Sequence, residues 1–248
     1  MAMSGKQYAV IAGSGFRSFG NDSAGTIVST SFGNPSGPIR ELRYDDHMVY
    51  LLPRHGDELL IPPHAINYRA NMKALQQLET DCVIAMNTVG VITSNIHPGQ
   101  VVVPDQLIDY TWGRDHSIYE GVEKLEHIDL TNPFSEHLRQ EVLKAARRSD
   151  VSVHNGGVYA VTQGPRLETA AEVDRLERDG VDYVGMTAMP EAALARELGM
   201  DYACLSLVVN YAAGRGEKSI HADIEASTIT AKMQAMKILR VFFGVMEE

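Results

Sequence analysis

Short, almost wholly apolar runs that end in small polar residues alternate along this chain with longer segments of helical period. This alternation is typical of a sheet that helices cover on both faces. The runs are too continuously apolar to keep one face in water, so they should lie inside a parallel or mixed sheet. Strands are predicted at residues 8–12, 48–52, 82–86, 101–103, 158–162, 183–185 and 202–209, and helices at residues 66–78, 134–148, 169–179, 190–198 and 224–245.

The chain shows no internal repeat and no low-complexity linker. We therefore expect residues 1–248 to form a single α/β domain with a central mixed, largely parallel sheet flanked by helices. Two long irregular stretches, residues 20–40 and 104–130, are rich in Gly, Asp, Asn and Pro. Because long loops of compact domains usually line a site or an interface, we predict one of these roles for both stretches.

Charge and composition argue against several classes of function. The formal net charge is −10 and no run of Lys or Arg stands out, so no nucleic-acid partner is expected. No apolar stretch approaches the roughly 20 residues that span a bilayer, and the first residues do not resemble a secretory signal, which predicts a cytoplasmic protein with no membrane partner. The two cysteines, Cys82 and Cys204, are too few for a disulfide framework or a zinc site, so no metal is expected.

Polar donors follow three of the predicted strands: GSG at residues 13–15, PRHG at 53–56 and NTVG at 87–90. Glycines let the backbone approach an anion, the Arg54 guanidinium offers paired donors, and a protonated His55 would add a third donor. Each motif alone could be an ordinary turn or a surface pair. Three such strand ends in a strongly acidic protein favour a site for a small oxyanion.

Three further motifs occur in the second half of the chain. Glu168 in QGPRLET should stand at the top of the sheet near a helix start, where it could also simply cap the helix. Met186 in GMTAMPE follows a strand, although a methionine is by itself more often a core residue. Asn210 in VVNY ends the most hydrophobic strand with an amide that can donate and accept at once. None of these motifs decides a function alone.

The order and spacing of the motifs carry a resemblance. The series GSG, PRHG, PPHAINYRAN, NTVG, HPGQVVVPDQLIDYT, QGPRLETAAE, GMTAMPEAALARE and VVNY resembles the trimeric purine nucleoside phosphorylase and methylthioadenosine phosphorylase family, from Tyr8 to about Tyr211. The resemblance implies cleavage of a purine nucleoside by inorganic phosphate to the free base and a pentose 1-phosphate. It further implies that no metal or organic cofactor is used, and that the enzyme is a homotrimer with sites near subunit interfaces.

The resemblance also implies roles for individual positions. Phosphate would be held by Ser14, Arg54, His55, Asn87, Thr88 and Thr187. The nucleoside would contact Met186 under the ribose, Leu167, Glu168 and Asn210, and His127 matches the position that reaches into a neighbouring subunit's site. The catalytic set would be Asn210, Glu168 and His55.

Two residues favour a 6-oxopurine base. Asn210 can donate to O6 and accept from a protonated N7, whereas the adenine branch of the family has Asp there and a second Asp where this chain has Ala212. Glu168 can accept from the N1–H of a 6-oxopurine, but adenine N1 is itself an acceptor. Each unpaired buried polar group costs about 1–3 kcal/mol, so two mismatches predict discrimination on the order of a hundredfold or more.

The sugar end favours a methylthio substituent. The motifs at residues 62–71 and 105–111 are more similar to the methylthioadenosine branch. The expected 5′ region contains the apolar residues Leu59, Ile220 and Ile224, while His221 nearby could serve a hydroxyl group. An apolar 5′ pocket beside a 6-oxopurine pocket predicts S-methyl-5′-thioinosine as the substrate.

Four alternatives stay open. The chain could be an inosine or guanosine phosphorylase, a methylthioadenosine phosphorylase, a nucleosidase that uses water, or a nucleoside-binding protein without turnover. The Arg54–His55 pair argues against the nucleosidase, and the complete set of phosphate-site residue types argues against the binding protein.

Overall fold

The computed structural model describes residues 5–13, 24–44, 47–58, 60–119, 125–216 and 224–244. The strands in these ranges are β1 (Tyr8–Ala12), β2 (Arg40–Tyr44), β3 (His47–Pro53), β4 (Cys82–Val91), β5 (Val101–Val103), β6 (Gln106–Asp109), β7 (Val153–Asn155), β8 (Val158–Val161), β9 (Tyr183–Gly185) and β10 (Asp201–Tyr211). The helices are α1 (Tyr68–Gln77), α2 (Glu136–Arg148), α3 (Ala170–Arg178), α4 (Ala188–Glu197) and α5 (Ile224–Phe242). Every predicted strand and helix is present.

The strands form one ten-stranded sheet with the order β2-β3-β1-β4-β10-β5-β7, and β9 joins β4 to the further strands β8 and β6. Pairings of β1 with β3 and β4, of β4 with β10, of β5 with β7, and of β8 with β6 and β9 are parallel. The pairings β2–β3, β5–β10 and β4–β9 are antiparallel. The predicted mixed, largely parallel sheet is therefore confirmed.

Helices bury both faces of the sheet. Every residue of β1 is buried, and its side chains alternate between two apolar cores. Ala9 and Ile11 pack on the side of α1 and α4, whereas Tyr8 and Val10 pack on the side of α2 and α5. Cys82 and Cys204 are buried free thiols, as their apolar surroundings in the sequence suggested. This two-sided burial explains why the strands read as continuous apolar runs.

Three strands were not predicted, namely β2, β6 and β7. The sequences RELRY, QLID and VHN are short or largely polar, and none of the residues in β6 and β7 is fully buried. Strands with one wet face or an edge position lack the apolar run on which the prediction relied. The stretch 104–130 is consequently not irregular throughout, because β6 lies within it.

None of the helices within the described ranges is both long and apolar enough to cross a membrane.

Candidate active site

A cavity of about 300 Å³ lies where β1, β3, β4, β9 and β10 meet. Nine predicted site residues line it together: Arg54, His55, Asn87, Thr88, Leu167, Glu168, Met186, Thr187 and Asn210. These residues come from both halves of the chain. The first four in sequence order and the last belong to or follow the strands β3, β4 and β10, which run in one direction, whereas the others follow β8 and β9, and β9 reaches the cavity by pairing antiparallel with β4. The structure thus gathers in one cavity the donors and the base-side residues that the motifs suggested.

The other predicted site residues have different positions. Ser14, Leu59 and Ile220 lie outside the described residues, as does His221. His127 is exposed and Ile224 is half-buried at the first residue of α5, and neither lines this cavity. Among the described residues of the stretches 20–40 and 104–130, none lines it either. None of these residues lines the cavity within its own chain. The roles of His127 in a neighbouring subunit's site, of Ile224 at the 5′ group and of the two stretches at a site or an interface stay predictions.

The Arg54 guanidinium is fully buried and forms an ion pair with Glu191 of α4. Nε and Nη2 of Arg54 donate to the two carboxylate oxygens of Glu191 over 2.6 and 3.0 Å, and Nη1 donates to the main-chain oxygen of Met86 over 2.7 Å. Burial by itself disfavours the charged guanidinium, but the carboxylate of Glu191 outweighs it and raises the pKa of Arg54. The side chain therefore stays cationic and rigidly oriented.

Glu191 changes which donors of Arg54 face the cavity. Three of the five guanidinium N–H groups are engaged by Glu191 and Met86, so two remain to bind a ligand. The carboxylate also accepts a hydrogen bond of 2.8 Å from the Tyr202 hydroxyl, whose pKa burial raises well above its ordinary value. Because the pair is neutral as a whole, this end of the cavity attracts an anion through oriented donors more than through net charge.

The end of β1 approaches this guanidinium closely. A Cβ atom at residue 13 would lie 2.6 Å from the main-chain oxygen of Met86 and 2.9 Å from Nη1 of Arg54. Only glycine fits there, since real Cβ atoms do not come so near. The sequence motif had suggested that this glycine makes room for an anion. The structure shows that it also makes room for Arg54.

His55 enters the cavity as a neutral ring rather than as the protonated donor that the sequence interpretation considered. Burial, and secondarily the charge of Arg54, lower the pKa of His55 below its ordinary value of 6.5. Nδ1 lies 2.8 Å from the main-chain oxygen of Ile61, which can only accept, so the proton of the neutral ring belongs on Nδ1. Nε2 is then an acceptor near neutral pH, and it becomes a donor only after taking up a proton.

Asn87 and Thr88 lie within β4, not in a turn after it as predicted. The strand continues because β10 pairs with it through this region, with Asn87 opposite Ser206. The Ser206 hydroxyl donates to Oδ1 of Asn87, and Nδ2 of Asn87 donates to the Cys204 sulfur over 3.4 Å. One N–H of the Asn87 amide is thereby used, which leaves the other for the cavity.

Thr187 stands at the N-terminus of α4 and lines the same end of the cavity. Its side chain forms no capping hydrogen bond to the helix, in contrast to Thr169, whose hydroxyl accepts from the main chain of Glu172 at the start of α3. The hydroxyl of Thr187 is therefore not committed to its own helix. Together with Arg54 and Asn87, it gives this end of the cavity donors from three separate elements.

Glu168 and Asn210 line the cavity further along β4, since Asn210 pairs with Gly90, three residues past Asn87. The Thr162 hydroxyl donates to Oε1 of Glu168 over 2.6 Å, and this contact orients the carboxylate so that Oε2 can accept from a ligand. In Asn210, Nδ2 donates to the main-chain oxygen of Tyr211 over 2.7 Å. The amide keeps a second N–H and its oxygen for a ligand. This part of the cavity therefore offers one donor and acceptors on two side chains.

A bulge in β10 determines the position of Asn210. Val208 pairs with Val89 and Asn210 pairs with Gly90, so Val209 is an extra residue in the ladder. Bulges of this kind re-aim side chains and are frequent beside active sites. A larger groove of about 1130 Å³ shares Val209 and Asn210 with the cavity and extends to the first turns of α5.

Several residues that shape the site were not singled out from the sequence: Glu191, Tyr202, Ser206 and Thr162. Glu191 did leave a signal, because it is the one charged residue in the run AMPEAALA, and a lone carboxylate in such a run is buried only with a partner. Ser206 is likewise a polar residue inside an apolar strand. Their partners are distant in sequence, so the residues that they hold could not be inferred.

Comparisons with known proteins identify the family of the chain. The sequence model of the Phosphorylase superfamily matches residues 7–243. A probable S-methyl-5′-thioinosine phosphorylase of Xylella fastidiosa (strain Temecula1) is 56% identical over 191 residues, which are 77% of this chain and 77% of the relative. The 6-oxopurine nucleoside phosphorylase of Pyrococcus furiosus is 40% identical over 224 residues, 87% of this chain and 84% of the relative.

A solved structure has the same fold. The methylthioadenosine phosphorylase from Schistosoma mansoni in complex with adenine superposes with a TM-score of 0.90 at 30% identity, covering 97% of this chain and 92% of that chain.

We expect the substitution Glu191→Gln to lower the free energy of unfolding by about 3 kcal/mol, because it leaves the buried charge of Arg54 without its counter-charge. Urea unfolding at a fixed protein concentration measures the change. The control Glu141→Gln removes the carboxylate of a pair with Lys144 at 4.0 Å on α2, and should cost below about 1 kcal/mol. Equal losses in both variants would contradict the importance of the buried pair.

Proposed function

The chain belongs to the phosphorylase superfamily, and from this premise we propose that it cleaves S-methyl-5′-thioinosine with inorganic phosphate. The products would be hypoxanthine and 5-methylthioribose 1-phosphate, which makes the enzyme a pentosyltransferase of the purine nucleoside phosphorylase class. The observation that carries the proposal is that one cavity holds oriented donors at one end and Glu168 with Asn210 at the other. Its volume of about 300 Å³ is that of a small-molecule site.

We propose that the donor end binds phosphate. The two remaining N–H groups of Arg54, the second N–H of Asn87 and the Thr187 hydroxyl would donate to the phosphate oxygens, with Thr88, His55 and Ser14 completing the set. Charge-assisted hydrogen bonds from an arginine that is already fixed by Glu191 favour a defined orientation of the anion. His55 would contribute its ring to the binding of phosphate after taking up a proton.

The base end would select a 6-oxopurine. The free N–H of Asn210 would donate to O6, and Oδ1 would accept from the protonated N7. Oε2 of Glu168 would accept from N1–H while Thr162 holds Oε1. Adenine would bring a lone pair to Glu168 at N1, which leaves the carboxylate facing an acceptor and costs binding free energy.

Catalysis would rest on orientation and electrostatics. As the glycosidic bond loosens, positive charge grows on the sugar and negative charge moves into the purine. Phosphate held at the donor end would attack C1′, and Asn210 and Glu168 would stabilise the departing base as it takes up that negative charge. Interactions that strengthen as the charge develops lower the barrier, so no protein nucleophile, metal or organic cofactor is needed.

The sugar would lie over Met186 and beside Leu167, between the two ends of the cavity. The 5′-methylthio group would reach toward Leu59, Ile220 and Ile224. The 56% identity to a probable S-methyl-5′-thioinosine phosphorylase supports this substituent. A second candidate is an inosine or guanosine phosphorylase, which the 40% identity to a 6-oxopurine nucleoside phosphorylase favours. We further propose that the enzyme is cytoplasmic.

The proposal includes a homotrimer with sites near subunit interfaces. The exposed His127 does not line the cavity of its own chain, which agrees with a role in the cavity of a neighbour. Sedimentation equilibrium should give three times the chain mass of 27.2 kDa. A monomeric species that retains full activity would contradict both the trimer and the role of His127.

The substrate is tested by following the release of free base from methylthioinosine, inosine and methylthioadenosine, each with and without phosphate and in the presence of EDTA. We expect the fastest release of hypoxanthine from methylthioinosine, only with phosphate, and without loss of rate in EDTA. Fastest cleavage of inosine would favour the second candidate. Fastest cleavage of methylthioadenosine would contradict the role of the base-end residues, and release without phosphate would indicate a nucleosidase.

Asn210→Asp should shift the base preference toward 6-aminopurines, because a carboxylate cannot donate to O6 but accepts from the amino group of adenine. We expect the ratio of kcat/KM for methylthioinosine to that for methylthioadenosine to fall at least about tenfold, the effect of about 1.4 kcal/mol. Asn132→Asp adds the same charge at an exposed position outside the cavity and should leave the ratio unchanged. An unchanged ratio in Asn210→Asp would contradict the assignment.

A further inference from the structure

Arg114 lies between β6 and α2, in a segment that does not line the cavity, yet its side chain is almost fully buried behind the cavity wall. The residue is 8% exposed. The guanidinium donates to the Tyr68 hydroxyl over 3.2 Å and to the Gln163 side-chain oxygen over 3.1 Å. It also lies 5.3 Å from the centre of the Tyr68 ring, a cation–π contact.

The remaining hydrogen bonds of Arg114 reach main-chain oxygens on two separate segments. Nη2 donates to the oxygens of Thr162 and Gln163 over 3.2 and 2.9 Å. Nη1 donates to the oxygens of Met186 and Met189 over 2.9 and 2.6 Å. The first pair belongs to the segment that carries Leu167 and Glu168, and the second pair flanks Thr187. One side chain therefore connects the base end of the cavity to its donor end.

The two segments touch each other at the same place. A Cβ atom at Gly164 would overlap the Met186 side chain, and the backbone of Gly164 has φ +59°, in the left-handed region. The left-handed backbone favours glycine here, and a larger residue would also push the Met186 side chain away. Arg114 holds the main chain on both sides of this contact, next to Gly164 in one segment and at Met186 in the other.

These hydrogen bonds from Arg114 to the two segments, which we call the Arg114 clamp, require an arginine. Within the described part of the chain, no carboxylate forms an ion pair with Arg114, whereas Arg54 has Glu191. The cation is instead stabilised by main-chain carbonyl dipoles, which a planar guanidinium can reach on two sides at once. A lysine offers a single nitrogen and cannot span both segments.

We propose that Arg114 is a positioning residue that fixes the distance between the base end of the cavity, which carries Glu168, and its donor end, which carries Thr187. The inference rests on the proposed function, because it matters to catalysis only if both ends act on one substrate. Phosphate must be held in line with the bond that breaks, and a displacement of about 1 Å can lower the rate on the order of a hundredfold. Loss of the clamp should therefore slow turnover more than it weakens binding.

The test compares wild type, Arg114→Met, Arg114→Lys and the control Arg175→Met. Arg175 also contacts a tyrosine ring, that of Tyr110 at 5.7 Å, but it lies on α3 and is paired with Asp179. Calorimetric titration in the presence of phosphate, with the free base of the nucleoside that the wild type cleaves fastest, counts the competent sites. Initial rates with whichever nucleoside the wild type cleaves fastest then give KM and kcat per competent site.

We expect kcat per competent site to fall about 30-fold or more in Arg114→Met and about tenfold in Arg114→Lys, with each KM changed less than about threefold. Arg175→Met should stay within about twofold of wild type. A purely structural role would lower the number of competent sites and leave kcat per site unchanged, and that result would overturn the proposal. If Arg114→Met does not fold, the same criterion applies to Arg114→Lys.

Failure of the proposed function gives a different result. A wild type that releases base from no nucleoside contradicts the proposed function and the role of Arg114 with it. An active wild type whose Arg114 variants keep kcat per competent site contradicts the role of Arg114 alone.

Discussion

Arg54 and Glu191 form an ion pair without exposure to solvent, and four elements of the fold meet at it. Arg54 follows β3, Glu191 belongs to α4, Tyr202 of β10 donates to the carboxylate, and Met86 of β4 accepts from the guanidinium. Two buried charges are expensive to remove from water, and their attraction compensates only when further hydrogen bonds satisfy both groups. Here those bonds come from β4 and β10, so both charges are satisfied only when the sheet is formed and α4 is packed against it.

The same pair also connects the fold to the chemistry of the cavity. Arg54 and Glu191 are 137 residues apart in sequence, and the other donors of the cavity, Asn87 and Thr187, belong to β4 and to the start of α4. Because Glu191 takes one edge of the guanidinium, the other edge is fixed before any ligand arrives. Preorganised donors need no rearrangement when charge develops, which is the basis of electrostatic catalysis. The base end is prepared in the same way by Thr162, which orients Glu168.

Most of the fold was predictable because two-sided burial leaves continuous apolar runs, as in β1 and β10. The edge strand β2 was missed because its buried residue Leu42 lies between two exposed charged residues, so no continuous apolar run marks the strand. Glycine-rich and polar strand ends indicated the cavity residues, since local motifs are visible in a sequence. Arg114 and Tyr202 could not be assigned because their roles arise only from contacts over long sequence separations. The pKa of His55 is lowered chiefly by burial, which the motif PRHG does not reveal, and secondarily by Arg54, which stands beside it in that motif.

Neighbouring residues of β1 belong to different cores, Ala9 and Ile11 to one and Tyr8 and Val10 to the other. A single inserted or deleted residue would exchange the two sets and place each in a space shaped for the other. Changes of length in the descendants of this chain are therefore confined to the connections between elements. Asn210 follows the bulge, its side chain is half-buried, and it belongs to neither apolar core, so a substitution there leaves the packing of both cores in place. Substrate choice can diverge along such a lineage while its scaffold keeps the same length.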